Sequence, residues 1–423
     1  MLGGRLGTGL HVATGAQPRG GGEPVRRMTE EAAVFCRPEG DLRVDDVTPE
    51  DTLVAQGAPV ARLREHPDIA LVAPMAGRVA RVVLRPGRRL AEIVLFREAG
   101  GDRHRHDVGG SAATEAGVRR LMQSAGLWPR LQRRPFGRLP PSDERPAAIV
   151  AMAADTRPMA PDPRMALRGR EEDLARGLSA LAGLTDGPVL LCQQAGPSLV
   201  ENGLADGRVM IVTTGPRHPQ GLAGLRIHDL CPAGIDAPVW EVHAEDAADL
   251  GALLVTGLLP ETRLVSVAGA AMNETLLLRC QPGADMRGLS HGHVRPGPHV
   301  LMAGSPLDGR EARWLGPRER QVTVNPQARA ASRHWFQSAL TRSSTQVPVI
   351  PTAALEQSVG GAFPAAAMIR ALASGDDETA MKLGVLSLLE DDLALTDYVI
   401  GGAPRLSTLL RRMLDRIETE YAA

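Results

Sequence analysis

Short apolar stretches separated by proline and glycine run through residues 31–98 of this chain. This pattern is typical of the strands of an all-β sandwich. One hydrophobic unit occurs twice, at residues 54–60 and 72–79, and its second copy predicts a tight turn between two strands with Gly77 at a positive-φ corner. The pattern after this turn places three apolar side chains inward, namely Val79, Val82 and Leu84.

From residue 147 the pattern changes to alternating strand and helix signals. The predicted elements are a strand at residues 148–152, a helix at 170–184, strands at 188–192 and 209–212, and a helix at 246–256. This order favours a small parallel, Rossmann-like sheet. No Gly-x-Gly-x-x-Gly motif follows the first strand, so the sequence lacks the glycine-rich turn that cradles a dinucleotide pyrophosphate.

The remaining segments complete a multidomain α/β chain. Short strands at residues 263–269 and 300–307 are typical of a small β-grasp module, and helical periodicity occurs at residues 113–126. Further short helices are predicted at residues 365–373, 379–383, 391–397 and 406–421. The predicted organisation is an N-terminal arm at 1–30, a barrel-sandwich hybrid domain (biotinyl/lipoyl-like) at 31–100, a helix and Arg/Pro-rich linker at 101–146, a Rossmann-like α/β domain at 147–258, a β-grasp (SLBB-like) module at 259–330 and a helical C-terminal domain at 331–423.

Composition and charge exclude several classes of function. A net charge of -1 gives no electrostatic reason to expect a nucleic-acid partner. The longest apolar run, residues 147–154, is far shorter than the ~20 residues that span a bilayer. The four cysteines are widely scattered without a Cys-x-x-Cys pair, which excludes zinc ribbons and iron-sulfur clusters and fits a reducing cytosol.

The repeated unit resembles that of biotinyl and lipoyl carrier sandwiches, but a carrier needs a modifiable lysine at its exposed turn. Lys382 is the only lysine in the chain and lies far from the sandwich in sequence. The sandwich is therefore predicted to be a scaffold that carries neither biotin nor lipoate.

Five separated motifs occur in one order along most of the chain. They are Ser124 to Trp128 followed by Arg133 to Pro140, Asp155 to Pro158 with Pro161 to Pro163, His218 to Gly224 with Ile227-His228, Leu383-Gly384, and Glu390 to Leu395. Together with the domain order, they resemble the A subunit of the Na+-translocating NADH:quinone reductase (Na+-NQR) family. Residues 396–402 depart from that family, which carries two cysteines in a C-x-x-x-C-P arrangement at this place.

The resemblance implies a peripheral protein on the cytoplasmic face of the bacterial inner membrane. Its partners would be the other subunits of a six-subunit respiratory pump, including membrane subunits, which oxidises NADH, reduces ubiquinone and exports sodium. The NADH, flavin and iron-sulfur sites would lie on those partners, so the chain alone would not oxidise NADH, and it would be associated with the quinone end. A more distant resemblance is to the C subunit of the Rnf electron-transport complex, which carries two cysteine-ligated clusters that this chain lacks.

A cluster of aromatic and cationic residues is the candidate quinone or partner contact. It contains Trp128, Arg133, Arg134, Phe136 and Arg138. A quinone head is a flat ring with two carbonyl acceptors, so an aromatic wall with arginine donors suits it. We expect this segment to lie on the surface that meets quinone or a membrane subunit. The alternative is a linker that packs its aromatic rings on the next domain.

Histidines give a second, weaker set of candidates. His218 and His228 follow the third strand of the parallel sheet, where α/β ligands bind, and an imidazole there would exchange the protons that quinone reduction consumes. The alternative is a turn histidine bonded to its own backbone. The pairs His104/His106 and His291/His293 lack a third ligand in register, so no metal site is predicted.

Two functional hypotheses remain at the level of the sequence. The first is a redox-pump subunit that holds its partners and contributes to quinone handling. The second is a non-catalytic adaptor that docks an electron-transfer partner and binds no quinone. Asp155 and Asp162, which resemble acid/base carboxylates, are predicted instead to cap and turn the chain after the first strand of the parallel sheet.

Overall fold

The computed structural model describes residues 2–3, 7–12, 23–37, 40–110, 114–201, 203–327, 352–401 and 405–421. The strands of this part of the chain are β1 (Leu2–Gly3), β2 (Val25–Arg26), β3 (Glu31–Phe35), β4 (Val44–Asp45), β5 (Leu53–Val54), β6 (Pro59–Leu63), β7 (Ala70–Val72), β8 (Gly77–Arg85), β9 (Arg89–Arg97), β10 (Gln132–Arg134), β11 (Ala148–Ala153), β12 (Val189–Gln194), β13 (Val209–Thr214), β14 (Val239–His243), β15 (Arg263–Ala268), β16 (Leu276–Cys280), β17 (His299–Ala303), β18 (Arg310–Glu311) and β19 (Gln321–Pro326).

The α-helices are α1 (Glu115–Ser124), α2 (Pro163–Leu167), α3 (Glu171–Ala182), α4 (Ala223–Leu230), α5 (Ala244–Thr256), α6 (Met286–Ser290), α7 (Ala353–Ser358), α8 (Ala365–Ser374), α9 (Asp377–Lys382), α10 (Ala394–Ile400) and α11 (Leu406–Tyr421). Short 3-10 helices cover Trp128–Arg130, Val385–Ser387 and Glu390–Leu393. The multidomain α/β architecture with a helical C-terminal region agrees with the expectation from the sequence.

The parallel sheet has the strand order β1-β13-β12-β11-β14-β10. Strands β11 to β14 are parallel to one another where they pair, and the order reverses between β11 and β14, which places a topological switch point there. The predicted strands β11, β12 and β13 and the helices α3 and α5 are confirmed, whereas β14 and α4 were not predicted. Gly177 of α3 and Gly251 of α5 allow these two helices to approach, because a Cβ on either would lie 1.8 Å from a carbonyl oxygen of the other helix.

Two connecting segments contribute short strands that the sequence did not predict. The described parts of residues 1–30 complete two sheets, because β1 pairs with β13 and β2 pairs with β16. The Arg/Pro-rich linker also contributes β10, which pairs antiparallel with β14 at the other edge of the parallel sheet. Sequence periodicity misses strands this short, because two or three residues show no alternation.

The sandwich consists of a four-stranded sheet, β3-β9-β8-β5, and a three-stranded sheet, β4-β6-β7. Val79 is fully buried, and Val82 and Leu84 pack half-buried against the same core. A register shift after Val79 keeps these residues on one side of the sheet. The predicted positive φ at Gly77 is wrong. A Cβ at Gly77 would instead lie 2.2 Å from the carbonyl oxygen of Phe96, so close approach of β9 explains the glycine.

The third sheet has the order β18-β17-β19-β15-β16-β2. In it β15 pairs antiparallel with β16 and parallel with β19, and α6 follows β16 in the chain. The two strands predicted in this region correspond to β15 and β17. The predicted boundary between this module and the tail, at residues 330 and 331, lies outside the described residues.

Hydrophobic packing links the sandwich to the parallel sheet. One continuous cluster of buried residues runs from the inner faces of the sandwich through α1 and Trp128 to the α3/α5 face of the parallel sheet. The tail forms a separate cluster that includes Phe136 and Leu225 from outside it. The predicted helix at residues 113–126 is confirmed as α1, whose N-terminus is capped by Thr114 through a 3.1 Å bond from the Gly117 N–H. No helix in the described ranges is long and apolar enough to cross a bilayer.

Candidate functional site

A cavity of about 340 Å³ lies where the parallel sheet, the third sheet and the tail meet. Its floor is formed by the carboxyl ends of β11 and β14 and by the residues leading into α4. One wall is the β17–β18 hairpin with residues 318–319, and the other is the tail from Leu389 to Arg411. This is the switch-point crevice in which open α/β sheets bind ligands, and its volume lies within the range of small-molecule sites.

Arg157 connects the floor of the cavity to the hairpin wall. Its guanidinium donates to Asp155 at 2.6 Å and to Asp308 at 3.2 Å. Burial opposes the charge of Arg157, but the two carboxylates outweigh it and raise the pKa of Arg157. Burial would raise the pKa of Asp308, yet Arg157 and the Ser305 N–H hold it below its usual range. Arg157 and Asp308 are therefore both ionised at neutral pH.

The N-terminus of α5 lies at the same edge but is occupied by carboxylates of the chain itself. Arg130 donates to Asp246 at 2.9 Å and to Asp249 at 2.6 Å, and Arg320 donates to Asp246 at 2.7 Å. Burial lowers the pKa of His243 to about 3, so this neutral imidazole accepts from the Glu245 N–H at 3.1 Å and caps the helix. Because carboxylates of the chain already occupy this helix N-terminus, it has little capacity to bind a phosphate.

The tail wall is anchored beneath the cavity by a buried ion pair. Arg134 donates to Asp392 and to Glu241, each at 2.7 Å. Asp392 also accepts from the Gly224 N–H in the first turn of α4, at 3.1 Å. Burial opposes ionisation of Arg134, but Asp392 and Glu241 outweigh it and raise the pKa of Arg134. The pair thus joins β10, β14, α4 and the tail.

Charged side chains dominate the lining of the cavity. Its arginines are Arg37, Arg130, Arg157, Arg310, Arg318, Arg405 and Arg411, and its carboxylates are Asp155, Glu241, Asp246, Asp308, Glu319, Glu390, Asp391 and Asp397. Seven cations thus face eight anions around a neutral His243. Apolar surface comes mainly from Met152, Leu222, Val242, Leu307 and Leu389.

Comparison with known proteins identifies the family of this chain. The family model described as the NqrA second alpha/beta domain matches residues 113–259. The A subunit of the Na(+)-translocating NADH-quinone reductase of Neisseria gonorrhoeae (strain ATCC 700825 / FA 1090) is 30% identical over 404 residues, which cover 88% of this chain and 90% of that protein. The chain belongs to the NqrA family, the A subunits of the Na+-translocating NADH-quinone reductase. The resemblance carried by the five sequence motifs is therefore confirmed.

A further relative agrees with this family in sequence, whereas the solved structure that superposes on this chain is remote. The NqrA protein of Actinobacillus succinogenes (strain ATCC 55618 / DSM 22257 / CCUG 43843 / 130Z) is 30% identical over 424 residues, which cover 93% of each chain. A chain of the NAD+-reducing [NiFe]-hydrogenase in the H2-reduced state superposes with a TM-score of 0.39 at 13% identity, covering 72% of this chain and 63% of that chain. That likeness is too distant to support an argument.

The predicted surface position of the aromatic and arginine segment is wrong for this member of the NqrA family. Trp128 and Arg134 are 0% exposed and Phe136 is 6% exposed. Trp128 donates to the Pro140 carbonyl at 2.9 Å and packs edge-to-face on Trp240, while Phe136 enters the core of the tail. The rings are buried because they fill the contacts between neighbouring parts of the fold. This agrees with the alternative considered from the sequence, a linker that packs its aromatic rings on the next domain.

The other two arginines of this segment are less deeply buried. Arg133 is largely buried and pairs with Glu144. The Arg138 side chain is 49% exposed and pairs with Glu418 and Asp415 of α11. Neither lines the cavity, although Arg130, Gln132 and Gly137 of the same segment do.

The structure separates the two candidate histidines. His218 is 3% exposed, its backbone pairs with Leu10, and its Nδ1 contacts the Thr156 hydroxyl at 3.2 Å, just behind the floor of the cavity. Burial lowers the pKa of His218 to about 4. His228 faces the tail, where its Nε2 lies 3.2 Å from the Ala362 carbonyl and its ring packs on Phe363. The two side chains therefore do not form one ligand edge.

The remaining carboxylates considered from the sequence have structural roles. Asp162 caps α2 through the Arg164 N–H at 2.9 Å, and Asp155 accepts from the Arg157 N–H at 2.9 Å, which confirms their capping and turning roles. In the described ranges, no group of three or more His, Cys, Asp or Glu is arranged to hold a metal ion.

The sequence did not single out the hairpin wall or Arg318. Glycine and proline around residues 304–309 indicated a turn but not what the turn faces. The Asp-Thr-Arg-Pro motif was recognised as a family signature, and it supplies Arg157 to the cavity.

Proposed function

We propose that this chain is a peripheral subunit of a sodium-translocating NADH:ubiquinone reductase that contributes to quinone handling and to assembly of the complex. Its family membership supports the assignment to the complex. The observation that carries the quinone role is the cavity at the switch point, which joins three parts of the chain and has the volume of a small-molecule site.

The quinone head group fits the chemistry of this cavity. Its carbonyl oxygens accept hydrogen bonds from arginines, and its ring would contact apolar side chains such as Leu222, Leu307 and Leu389. An isoprenoid tail would have to remain outside, because charged side chains dominate the lining. The segment from Trp128 to Arg138 then supports the site indirectly, through Arg130, Gln132 and Gly137.

The second candidate is a non-catalytic adaptor that docks an electron-transfer partner and binds no quinone. The abundance of ion pairs in and beneath the cavity favours the adaptor, because such pairs also hold domains together. Arg133 and the exposed Arg138 then remain candidates for contact with a partner protein of the complex.

The finer organisation is also part of this proposal. We assign an N-terminal arm to residues 1–30, a barrel-sandwich hybrid to 31–100, a helix and linker to 101–146, a Rossmann-like domain to 147–258, a β-grasp (SLBB-like) module to 259–330 and a helical domain to 331–423. The strand order with a switch point between β11 and β14 supports the Rossmann-like name. The parallel pairing of β15 with β19 supports the β-grasp name.

The proposed cofactors follow from the expectation that the redox sites lie on partner subunits. We propose that ubiquinone is the ligand, and that flavin, iron-sulfur clusters and the NADH site belong to partner subunits. Met75 lies in the turn where a carrier would present its modified lysine. Its side chain is only 2% exposed and contacts Gln281, which supports a scaffold role without biotin or lipoate. The proposed location is the cytoplasmic face of the bacterial inner membrane, against the membrane subunits.

A reconstituted complex tests the function. An Na+-NQR complex that lacks its NqrA protein is combined with this chain, and quinone-dependent NADH oxidation and sodium export are measured. Restoration of both, together with saturable binding of a short-chain ubiquinone by the purified full chain, is expected. Assembly without quinone binding by the chain would favour the adaptor.

A further inference from the structure

Most arginines that line the cavity are committed to carboxylates of the chain. Arg130 and Arg157 make short pairs at 2.6 Å to Asp249 and Asp155. The other paired cations are Arg37 with Glu319, Arg411 with Asp415 at 2.9 Å, and Arg310 with Glu390 at 3.9 Å. A guanidinium held in this way has fewer N–H groups to offer a ligand.

Arg318 and Arg405 are different. Both are exposed and line the cavity, and neither side chain makes a hydrogen bond or an ion pair with another residue of the described ranges. Arg318 belongs to the hairpin wall and Arg405 to the tail wall. The two arginines therefore present uncommitted donors from two walls of one site.

The charge balance of the site selects the class of ligand. Seven arginines face eight carboxylates, and His243 is neutral, so the lining has no surplus of positive charge. A phosphate or another anion would meet this excess of carboxylates at close range, which is unfavourable in a partly desolvated site. A neutral ligand with carbonyl acceptors takes hydrogen bonds without adding charge.

We propose that Arg318 and Arg405 hold the two carbonyl oxygens of a neutral para-quinone ring, one from each wall of the cavity. The identification of the ring as a quinone rests on the proposed function. The structure itself contributes two arginine side chains on two walls of one cavity, neither of which has a partner in the described ranges.

Binding of a short-chain ubiquinone to the purified full chain tests this assignment. Arg318→Gln and Arg405→Gln should each weaken the affinity about tenfold or more, because each removes a charge-assisted hydrogen bond. Arg120→Gln is the matched control, since Arg120 is an exposed arginine of α1 that does not line the cavity. Thermal unfolding should be unchanged in all three variants, because neither cavity arginine has a side-chain partner in the described ranges to lose.

The outcomes separate this inference from the proposed function. If the unaltered chain does not bind the quinone, both fail. If it binds with the same affinity after either cavity substitution, only the arginine assignment is overturned. Inorganic phosphate is included as a competitor, and displacement of the quinone by phosphate at equal concentration would show that the site prefers an anion and would also overturn the assignment.

Discussion

At the scale of single residues, Arg134 has the opposite role to the one its sequence motif indicates. It lies in an arginine-rich segment with aromatic neighbours, which predicted a cation presented to a ligand. Its partner Asp392 is 258 positions away in sequence, so no local pattern reveals that the charge is buried and compensated. The motif identified the family correctly, but long-range pairing determines what the residue does.

Removal of the Arg134 side chain should therefore destabilise the fold. Arg134→Ala leaves the Asp392 carboxylate buried without its cation, which costs about 3 to 5 kcal/mol for a pair of this kind. Denaturant unfolding of the full chain measures the change. Arg138→Ala, which breaks an exposed pair, is the control and should cost less than about 1 kcal/mol. Equal, small effects in the two variants would contradict the buried role of Arg134.

Buried histidines should make stability depend on pH. Burial lowers the pKa of His218 to about 4 and, with His104, that of His106 to about 4, whereas an unfolded histidine titrates near about 6.5. Below about pH 6.5 the unfolded chain binds protons that the folded chain does not, so stability falls as the pH falls towards about 4.

This dependence is measured by the thermal midpoint of the full chain between about pH 7 and about pH 5. Each histidine should contribute on the order of 1 to 2 kcal/mol of lost stability at the lower pH. His218→Gln removes one titrating group, so its midpoint should depend less steeply on pH. An unchanged slope in that variant would mean that His218 is not held neutral by the fold.

At the scale of elements, the sequence was informative wherever a segment is long and periodic. The predicted helix at residues 406–421 corresponds to α11 at both ends, and the strands of the parallel sheet were recognised by continuous apolar runs. Strand β10 was missed because its three residues, Gln132 to Arg134, are all polar, and pairing with β14 makes it a strand. Tertiary contact outweighs local preference there.

Gly77 gives a prediction at this scale. A side chain on it would overlap the Phe96 carbonyl of the neighbouring strand, so Gly77→Ala should destabilise the sandwich by about 1 to 3 kcal/mol through overpacking. Gly87 has a φ of 79° but no atom within 4 Å of its would-be Cβ. Gly87→Ala should therefore show only the cost of a left-handed backbone, about 1 kcal/mol. Denaturant midpoints compare the two, and a smaller effect at Gly77 would contradict the close approach.

At the scale of the whole molecule, the sequence predicted the units in order but not how they join. The continuous hydrophobic cluster from the sandwich to the parallel sheet, through α1 and Trp128, makes separate unfolding costly because it would expose a shared core. The sequence could not predict the cavity for the same reason, since its lining comes from segments between Arg37 and Arg411 that only the assembled fold brings together.

We therefore expect the sandwich and the parallel sheet to unfold in one transition. Hydrogen exchange followed by mass spectrometry should give the same free energy of opening for buried amides of β9 and β11, while the tail, with its own cluster, is free to differ. Clearly different values for β9 and β11 would show that the shared core does not couple the two units.

The central claim, that the quinone head occupies the cavity between the three units, is tested most directly by filling the cavity. Ala394 lines the tail wall, and Ala394→Phe places a ring in the space assigned to the quinone. Ala116→Phe, at an exposed position of α1, is the matched control. The measurement is the affinity of the purified full chain for a short-chain ubiquinone, alongside thermal unfolding of each variant. The account predicts that Ala394→Phe abolishes binding while the chain remains folded and the control binds normally. Unchanged affinity in a folded Ala394→Phe chain would contradict it.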